Sequence, residues 1–285
     1  MIVVTGATGN IGRSLVGRLL EEGVPVRALT RDPARAGLPV RTEAVRADLM
    51  ADTDLAPLLS GADALFLNLA AGGGESAQRL IDAAVEAKVP RLVFNSSLGV
   101  TDTPADETNF ISRSHAAVER AVRASGLEWT FLRGGNYATN ALGWASAVRG
   151  NGVVRDPHPG AQGAPIHEAD LADAAAVALL DRTGTHVHRV HRLTGPEVLT
   201  NAQQVAAIAE AIGRPVRIEQ IPEDEAAEAM VGPHLPLVAA RELIGLFGRT
   251  VDAPAFPVTD TVARVTGHPA RSFAQWARDH AADFS

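Results

Sequence analysis

The sequence predicts an α/β fold: a doubly wound parallel sheet with a smaller, mainly helical C-terminal lobe. Three observations predict it. Through the first half of the chain, short apolar runs alternate with helical patterns, as strands covered on both faces alternate with crossover helices. A glycine-spaced segment, Thr5–Gly12, stands between the first apolar run and the first amphipathic helix. Past residue 135 the alternation loosens, and glycine and proline crowd the stretch from Gly150 to Pro165.

Taken in order, Ile2–Thr5 reads as a strand followed by a helix from Ile11 to Glu22. Val24–Leu29 and Thr42–Val45 are the next strands. Asp54–Leu59 is a helical turn, Ala64–Leu67 a strand, and Ser76–Ala87 a helix with Leu80, Ala84 and Ala87 on one face. Leu92–Phe94, a helix over Ser114–Ser125 and the strand Trp129–Leu132 complete a dinucleotide-sized domain, residues 1–135. Right-handed crossovers make such a series doubly wound. Residues 136–285 read as an interwoven substrate-binding lobe that returns some strands to the main sheet. In it, Gly150 to Pro165 is a loop or hairpin, Glu168–Leu180 a helix, Val187–Leu193 a strand, Asn201–Ile212 a helix and Val216–Ile221 a strand. Glu223 to Phe284 reads as mostly helical, with Phe273 and Trp276 as packing anchors.

Composition narrows the function classes. A chain of 285 residues buries a substantial core without disulfides or metals. A net charge of −7 and a pI near 5.7 supply no basic field for a nucleic acid. Cysteine is absent, which excludes disulfides, a thiolate zinc site and a cysteine nucleophile. No apolar run approaches the roughly 18 residues of a membrane span. Met1 leads straight into the first strand, so the expectation is a cytoplasmic protein without a signal peptide.

The glycine loop carries the binding chemistry of a Rossmann domain. Gly6 suits a turn at positive φ, Gly9 lets a pyrophosphate approach the main chain, and Gly12 allows close packing of helix on strand. With Thr8, Asn10 and Ile11, these residues place a helix N-terminus and its free N–H groups against the phosphates. After the second strand an acid favours NAD(H) and an arginine favours NADP(H). Arg31 stands where a 2′-phosphate is met, which favours NADP(H), while the neighbouring Asp32 is able to serve a ribose hydroxyl instead. Asp48 and Leu49 follow the third strand, where adenine is contacted. Asn68, Leu69 and Ala70 close the fourth, on the nicotinamide side. An ordinary strand-end role is equally open at these positions.

Several segments together resemble the NmrA-like group of atypical short-chain dehydrogenases/reductases. They are Thr5–Gly12, Arg31-Asp32-Pro33, Asn95-Ser96-Ser97, Ser125–Arg133, Asn136-Tyr137 with Asn140, Ile166–Ala174, Leu193–Glu197 and Ala211–Val216. The resemblance covers nearly the whole chain. It implies a nicotinamide-dinucleotide Rossmann fold and reduction of quinones, enones, azo compounds or phenylpropanoids, or a redox sensor that binds the dinucleotide without turnover.

Typical members of that superfamily use a Tyr-x-x-x-Lys pair on the helix after the fifth strand. Here the lysine position is His115 and the tyrosine position Ile111, so the phenolic acid is missing. His115 is therefore the first catalytic candidate, to hold ribose hydroxyls or relay a proton; a histidine capping or packing at the helix start is the alternative. Ser96 stands where the superfamily's serine orients a carbonyl, or it satisfies a strand end. Tyr137, the single tyrosine, donates a proton to substrate or packs. Asn136, Tyr137, Asn140 and Trp144 are the expected acceptor contacts. His186 and His188 alternate onto one face of a strand and His191 onto the other, so no metal site is expected.

The reading that results is an NADPH-dependent oxidoreductase transferring hydride to a small conjugated acceptor, as a monomer or homodimer. A quinone or enone delocalises charge and takes its proton from water, which suits a site without the tyrosine. A regulatory NADP(H) sensor without turnover and a cofactor-assisted isomerase or dehydratase are the alternatives.

Overall fold

The computed structural model describes residues 1–51, 53–68, 74–232 and 235–285. In chain order its strands are β1 (Ile2–Val4), β2 (Val26–Thr30), β3 (Glu43–Arg46), β4 (Ala64–Asn68), β5 (Arg91–Ser97), β6 (Glu128–Gly134), β7 (Val153–Asp156), β8 (Gln162–Gly163), β9 (Arg189–Leu193), β10 (Leu199–Thr200) and β11 (Arg217–Gln220). The α-helices are α1 (Asn10–Glu21), α2 (Ala56–Leu59), α3 (Gly74–Glu86), α4 (Phe110–Ala124), α5 (Ala145–Gly150), α6 (Glu168–Leu179), α7 (Asn201–Ile212), α8 (Glu223–Met230), α9 (Leu237–Gly248), α10 (Thr261–Thr266) and α11 (Phe273–Asp279).

The chain divides into two compact units. The first comprises residues 1–134, 168–193 and 264–267; the second comprises 135–167, 194–263 and 268–285. Thus α6, which sequence order places in the lobe, belongs with β9 to the first unit.

The first unit is a seven-stranded, wholly parallel sheet in the order β3-β2-β1-β4-β5-β6-β9. The chain runs outward from β1 to β3, then restarts beside β1 with β4. The β1/β4 seam is therefore the topological switch point, outside whose carboxyl ends ligands bind. Val3, Val4, Leu65, Leu67, Leu92, Val93 and Phe94 are all buried, as strands covered on both faces require. One face carries α3 and α4 over a cluster that includes Leu80, Ile81, Val118, Val122 and Phe131. On the other, α1 packs on α6. Its buried residues, Gly12, Leu15, Val16, Leu19 and Leu20, follow the helical period, and Arg18 Nε lies 3.2 Å from Asp173 Oδ1 of α6. The alanine-rich α6 is buried nearly all round.

One helix start changes the reading of the site. Helix α4 begins at Phe110, four residues before the expected Ser114, because Asn109 caps it by accepting from the Ser112 N–H at 2.9 Å. His115 consequently lies inside the helix and does not cap its start.

In the second unit, the glycine- and proline-rich stretch is no hairpin. β7 pairs in parallel with the distant β11, and β8 pairs antiparallel with β10. The unit's core joins Val148, Val154, Val205, Ile208, Phe273, Trp276 and Phe284. Phe273 and Trp276 are 1% and 0% exposed, the anchors expected of them. Helices α8 and α9 pack on each other around Ala227, Ala240 and Ile244. Among the described residues no helix is long and apolar enough to cross a membrane.

Candidate active site

The site in the first unit is built outward from the β1/β4 seam. Thr5 is fully buried, and its hydroxyl donates to the Phe66 carbonyl at 3.1 Å while accepting from the Asn68 N–H at 2.9 Å. That locks the ends of β1 and β4 together. The chain then turns at Gly6, whose φ is +63°, directly beneath Asn68. A Cβ on Gly6 would lie 3.0 Å from Asn68 Nδ2. A Cβ on Gly12 would lie only 2.2 Å from the Gly6 carbonyl oxygen, so no other residue lets α1 start this close to the turn.

Gly9 is the N-cap of α1 and supplies no side-chain cap, and the first turn contains no acid. The early N–H groups of the helix, from Asn10, Ile11 and Gly12, are left to a ligand, with the positive end of the helix dipole behind them. Thr8, Gly9 and Asn10 are exposed beside them. A Gly-lined cradle that any Cβ would fill, ending on uncapped amides, fits a dinucleotide diphosphate.

The ribose end distinguishes two neighbouring residues. Asp32 accepts from the Arg35 N–H at 3.3 Å and caps the 3₁₀ turn Pro33–Arg35, so its carboxylate is engaged. Arg31 is exposed at the end of β2. Beyond β3, Asp48 is exposed and accepts from the Met50 N–H at 3.0 Å, while Leu49 packs against the core. Leu69 and Ala70 lie outside the described residues. Asn68 sits opposite Asn95 in the β4/β5 register and accepts from its Nδ2 at 3.2 Å.

His115 is half-buried on α4, its ring stacked on Phe94 at 6.0 Å. Its Nδ1 lies 2.8 Å from the Ile111 carbonyl oxygen. A carbonyl only accepts, so Nδ1 carries the proton and Nε2 presents a lone pair. Burial pushes this imidazole below its usual pKa, against the opposing pull of the Ile111 carbonyl and Glu119. His115 is thus a neutral hydrogen-bond acceptor, suited to a ribose hydroxyl and unsuited to giving up a proton.

Ser96 requires correction. It is 0% exposed, and its hydroxyl donates to Glu119 Oε1 at 2.6 Å. Arg133, beside Ser96 in the β5/β6 register, donates to the same carboxylate through Nε at 2.9 Å and Nη2 at 2.6 Å, and reaches Asp102 at 2.8 Å. Ser96 serves this buried ion network and is removed from the catalytic set. Hydrogen bonds from Arg133 hold the Asp102 carboxyl at about 2, with burial opposing and Arg123 assisting. Sequence reading missed Glu119 and Arg133 because an acid in a helix and an arginine at a strand end read as solvated. Their only signal is Arg133 following the apolar run Trp129–Leu132.

In the second unit, Asn136 adopts φ +52° and lies over Gly163, where a Cβ would sit 1.6 Å from Asn136 Nδ2. Tyr137 is half-buried and bridges to Ile166, with the Ala138 N–H donating to the Ile166 carbonyl at 2.9 Å. The 3₁₀ helix Ala138–Trp144 follows, and its three-residue period puts Tyr137 and Asn140 on one side. Trp144 shares the other side with buried Ala138 and Ala141 and packs, half-buried, against the unit's core while lining a surface pocket with Ser146 and Ala147.

The histidine pattern also differs. His186 precedes β9 and is not on it, so strand alternation does not apply, and His186 Nδ1 meets His191 Nε2 at 3.1 Å. Burial and then His186, Arg264 and Arg189 press His191 down to about 4. That positive field opposes a cation between the two rings.

A family model described as NAD(P)H-binding matches residues 6–182. The chain is 39% identical to the (4-alkanoyl-5-oxo-2,5-dihydrofuran-3-yl)methyl phosphate reductase of Streptomyces griseus, covering 100% of this chain and 99% of that one. It is 34% identical to the NAD(P)H azoreductase of Xenophilus azovorans, with 100% and 99% covered. The NADPH complex of an Escherichia coli NADPH-dependent quinone oxidoreductase superimposes with a TM-score of 0.79 at 26% identity, over 98% of this chain and 99% of that one. The chain therefore belongs to the NAD(P)H-binding family, within the NmrA-like atypical short-chain dehydrogenases/reductases, and is an NAD(P)H-dependent oxidoreductase.

Proposed function

We propose that the protein uses NADPH to reduce a small conjugated acceptor, a quinone or an enone-like unsaturated carbonyl. The observation that carries this is the uncapped start of α1 on a glycine cradle at the switch point, with Asp32 engaged as a cap and Arg31 exposed next to it. Gly6, Gly9, Asn10, Ile11 and Gly12 hold the diphosphate, Arg31 meets the 2′-phosphate, and Asn68 flanks the nicotinamide half. Bound NADPH supplies the hydride. His115 accepts a ribose hydroxyl through Nε2 and orients the ring; its Nδ1–H is committed to Ile111, so it does not protonate the product. Charge delocalised over a conjugated acceptor takes its proton from water or from the Tyr137 phenol. Asn136, Tyr137 and Asn140 are the proposed acceptor contacts. The unsaturated furanone in the name of the 39%-identical relative and the azo and quinone substrates in the names of the others share such conjugation. A cytoplasmic monomer or homodimer accompanies this reading.

The test is a titration with NADPH and NADH, followed by absorbance at the reduced-nicotinamide band against quinones, enones, unsaturated lactones and azo dyes. Oxidation of NADPH that depends on one of these acceptors is expected. Tight binding with no oxidation by any of them sinks the reductase and leaves a sensor. Turnover of a conjugated substrate without loss of reduced nicotinamide leaves an isomerase.

A further inference from the structure

Two segments follow neighbouring strands at the carboxyl end of the sheet, Gly6–Gly12 after β1 and Arg31–Gly37 after β2. One side chain ties them together. Arg13 donates from Nε to the Thr8 carbonyl at 2.9 Å, from Nη1 to the Gly37 carbonyl at 2.9 Å and from Nη2 to the Ala36 carbonyl at 2.7 Å. All three of its nitrogens are occupied by backbone oxygens, and among the described residues no carboxylate pairs with it. The far end of this clamp is shaped to receive it. Gly37 turns at φ +58°, and a Cβ there would sit 3.6 Å from Arg13 Nη1, while Ala36 is buried beside it. Between the anchored ends of the segment, Asp32 caps its turn, and Arg31 and Arg35 are exposed without an acidic partner among the described residues.

We propose that Arg13 is a positioning residue for selection of NADPH over NADH: it fastens the β2 loop to the diphosphate cradle and so holds Arg31 where a 2′-phosphate arrives. This rests on the NADPH reading above. A loop already ordered loses less freedom on binding, and the benefit falls on the ligand that uses the loop. NADH, lacking the 2′-phosphate, gains little from it.

Calorimetry on the full chain with NADPH and NADH tests this in wild type, Arg31→Ala, Arg13→Ala, Arg13→Lys and the Arg13→Ala/Arg31→Ala double variant. Wild type is expected to prefer NADPH, and Arg31→Ala to cut the preference about 30-fold, as loss of a charge-assisted hydrogen bond does. Arg13→Ala is expected to cut it about tenfold with NADH affinity nearly unchanged, and the double variant to fall no further than Arg31→Ala, because one residue acts through the other. Amide exchange at residues 34–37 should quicken in Arg13→Ala. Lysine reaches fewer of the three carbonyls, so Arg13→Lys carries the same sign at smaller size if the alanine variant fails to fold. An unchanged preference in the Arg13 variants overturns the proposal, as does full additivity in the double variant, which would make Arg13 a direct phosphate contact. A wild type without NADPH preference, or an Arg31→Ala variant that keeps it, overturns the underlying Arg31 reading instead.

Discussion

His115 and Ser96 both occupy positions that a motif reading marks as catalytic, and their hydrogen bonds separate them. The carbonyl one turn before His115 fixes the tautomer, leaving Nε2 as the acceptor. The sign of its pH dependence follows. The neutral ring is the working form and its pKa lies below the ordinary 6.5, so kcat/KM holds steady as pH falls to 6.5 and declines only below it. His115→Ala should remove that acidic limb and lower kcat/KM about tenfold, measured as a pH–rate profile. An acidic limb unchanged in the variant would assign the titration elsewhere. Ser96→Ala, by contrast, should leave kcat within about twofold and cost about 1–2 kcal/mol of stability in urea unfolding, since it removes a hydroxyl donor from a buried carboxylate.

At the scale of elements, the ties between β5, β6 and α4 run through a charged pair, Glu119 at 1% and Arg133 at 3% exposure. A buried pair of this kind is worth little against an apolar replacement, but breaking it leaves a charge without compensation. Glu119→Ala should therefore cost about 3–5 kcal/mol, measured by urea denaturation, and more than Ser96→Ala in the same network. The junction of β1 and α1 responds to volume. Gly12→Ala inserts a methyl group 2.2 Å from the Gly6 carbonyl, so the helix start must shift. Loss of measurable NADPH binding and a stability cost of about 1–3 kcal/mol are expected, the first by titration and the second by unfolding. Retained NADPH affinity would show that the cradle is not where the diphosphate sits.

For the whole molecule, stability should fall in two stages on acidification. His191 is kept neutral down to about 4 in the fold but takes a proton near 6.5 when unfolded. Its contribution is complete above about 6.5 and is lost as pH falls toward 4. Asp181 is the opposite case. Burial raises its carboxyl, but hydrogen bonds from the His186 backbone N–H and from the Thr183 hydroxyl and backbone N–H outweigh this and hold it at about 2, so its contribution is complete above the ordinary 3.8 and is lost as pH falls toward 2. Thermal midpoints measured from pH 7 to 2 should decline first below 6.5 and again below 3.8. His191→Phe should flatten that first decline and leave the carboxylate stage in place.

The doubly wound parallel sheet, the glycine cradle and the C-terminal anchors Phe273 and Trp276 were legible in the sequence. Each is local: a period, a turn residue or an apolar run states its own conformation before any distant contact exists. Partners were decided only by tertiary structure. Asn109 as a cap, Ser96 as a donor to Glu119, β7 beside β11, and Asp32 spent on its own turn all depend on which side chain or strand comes within hydrogen-bonding reach. That distance is set by packing, because the free energy of a polar group depends on the group it meets and not on its own type.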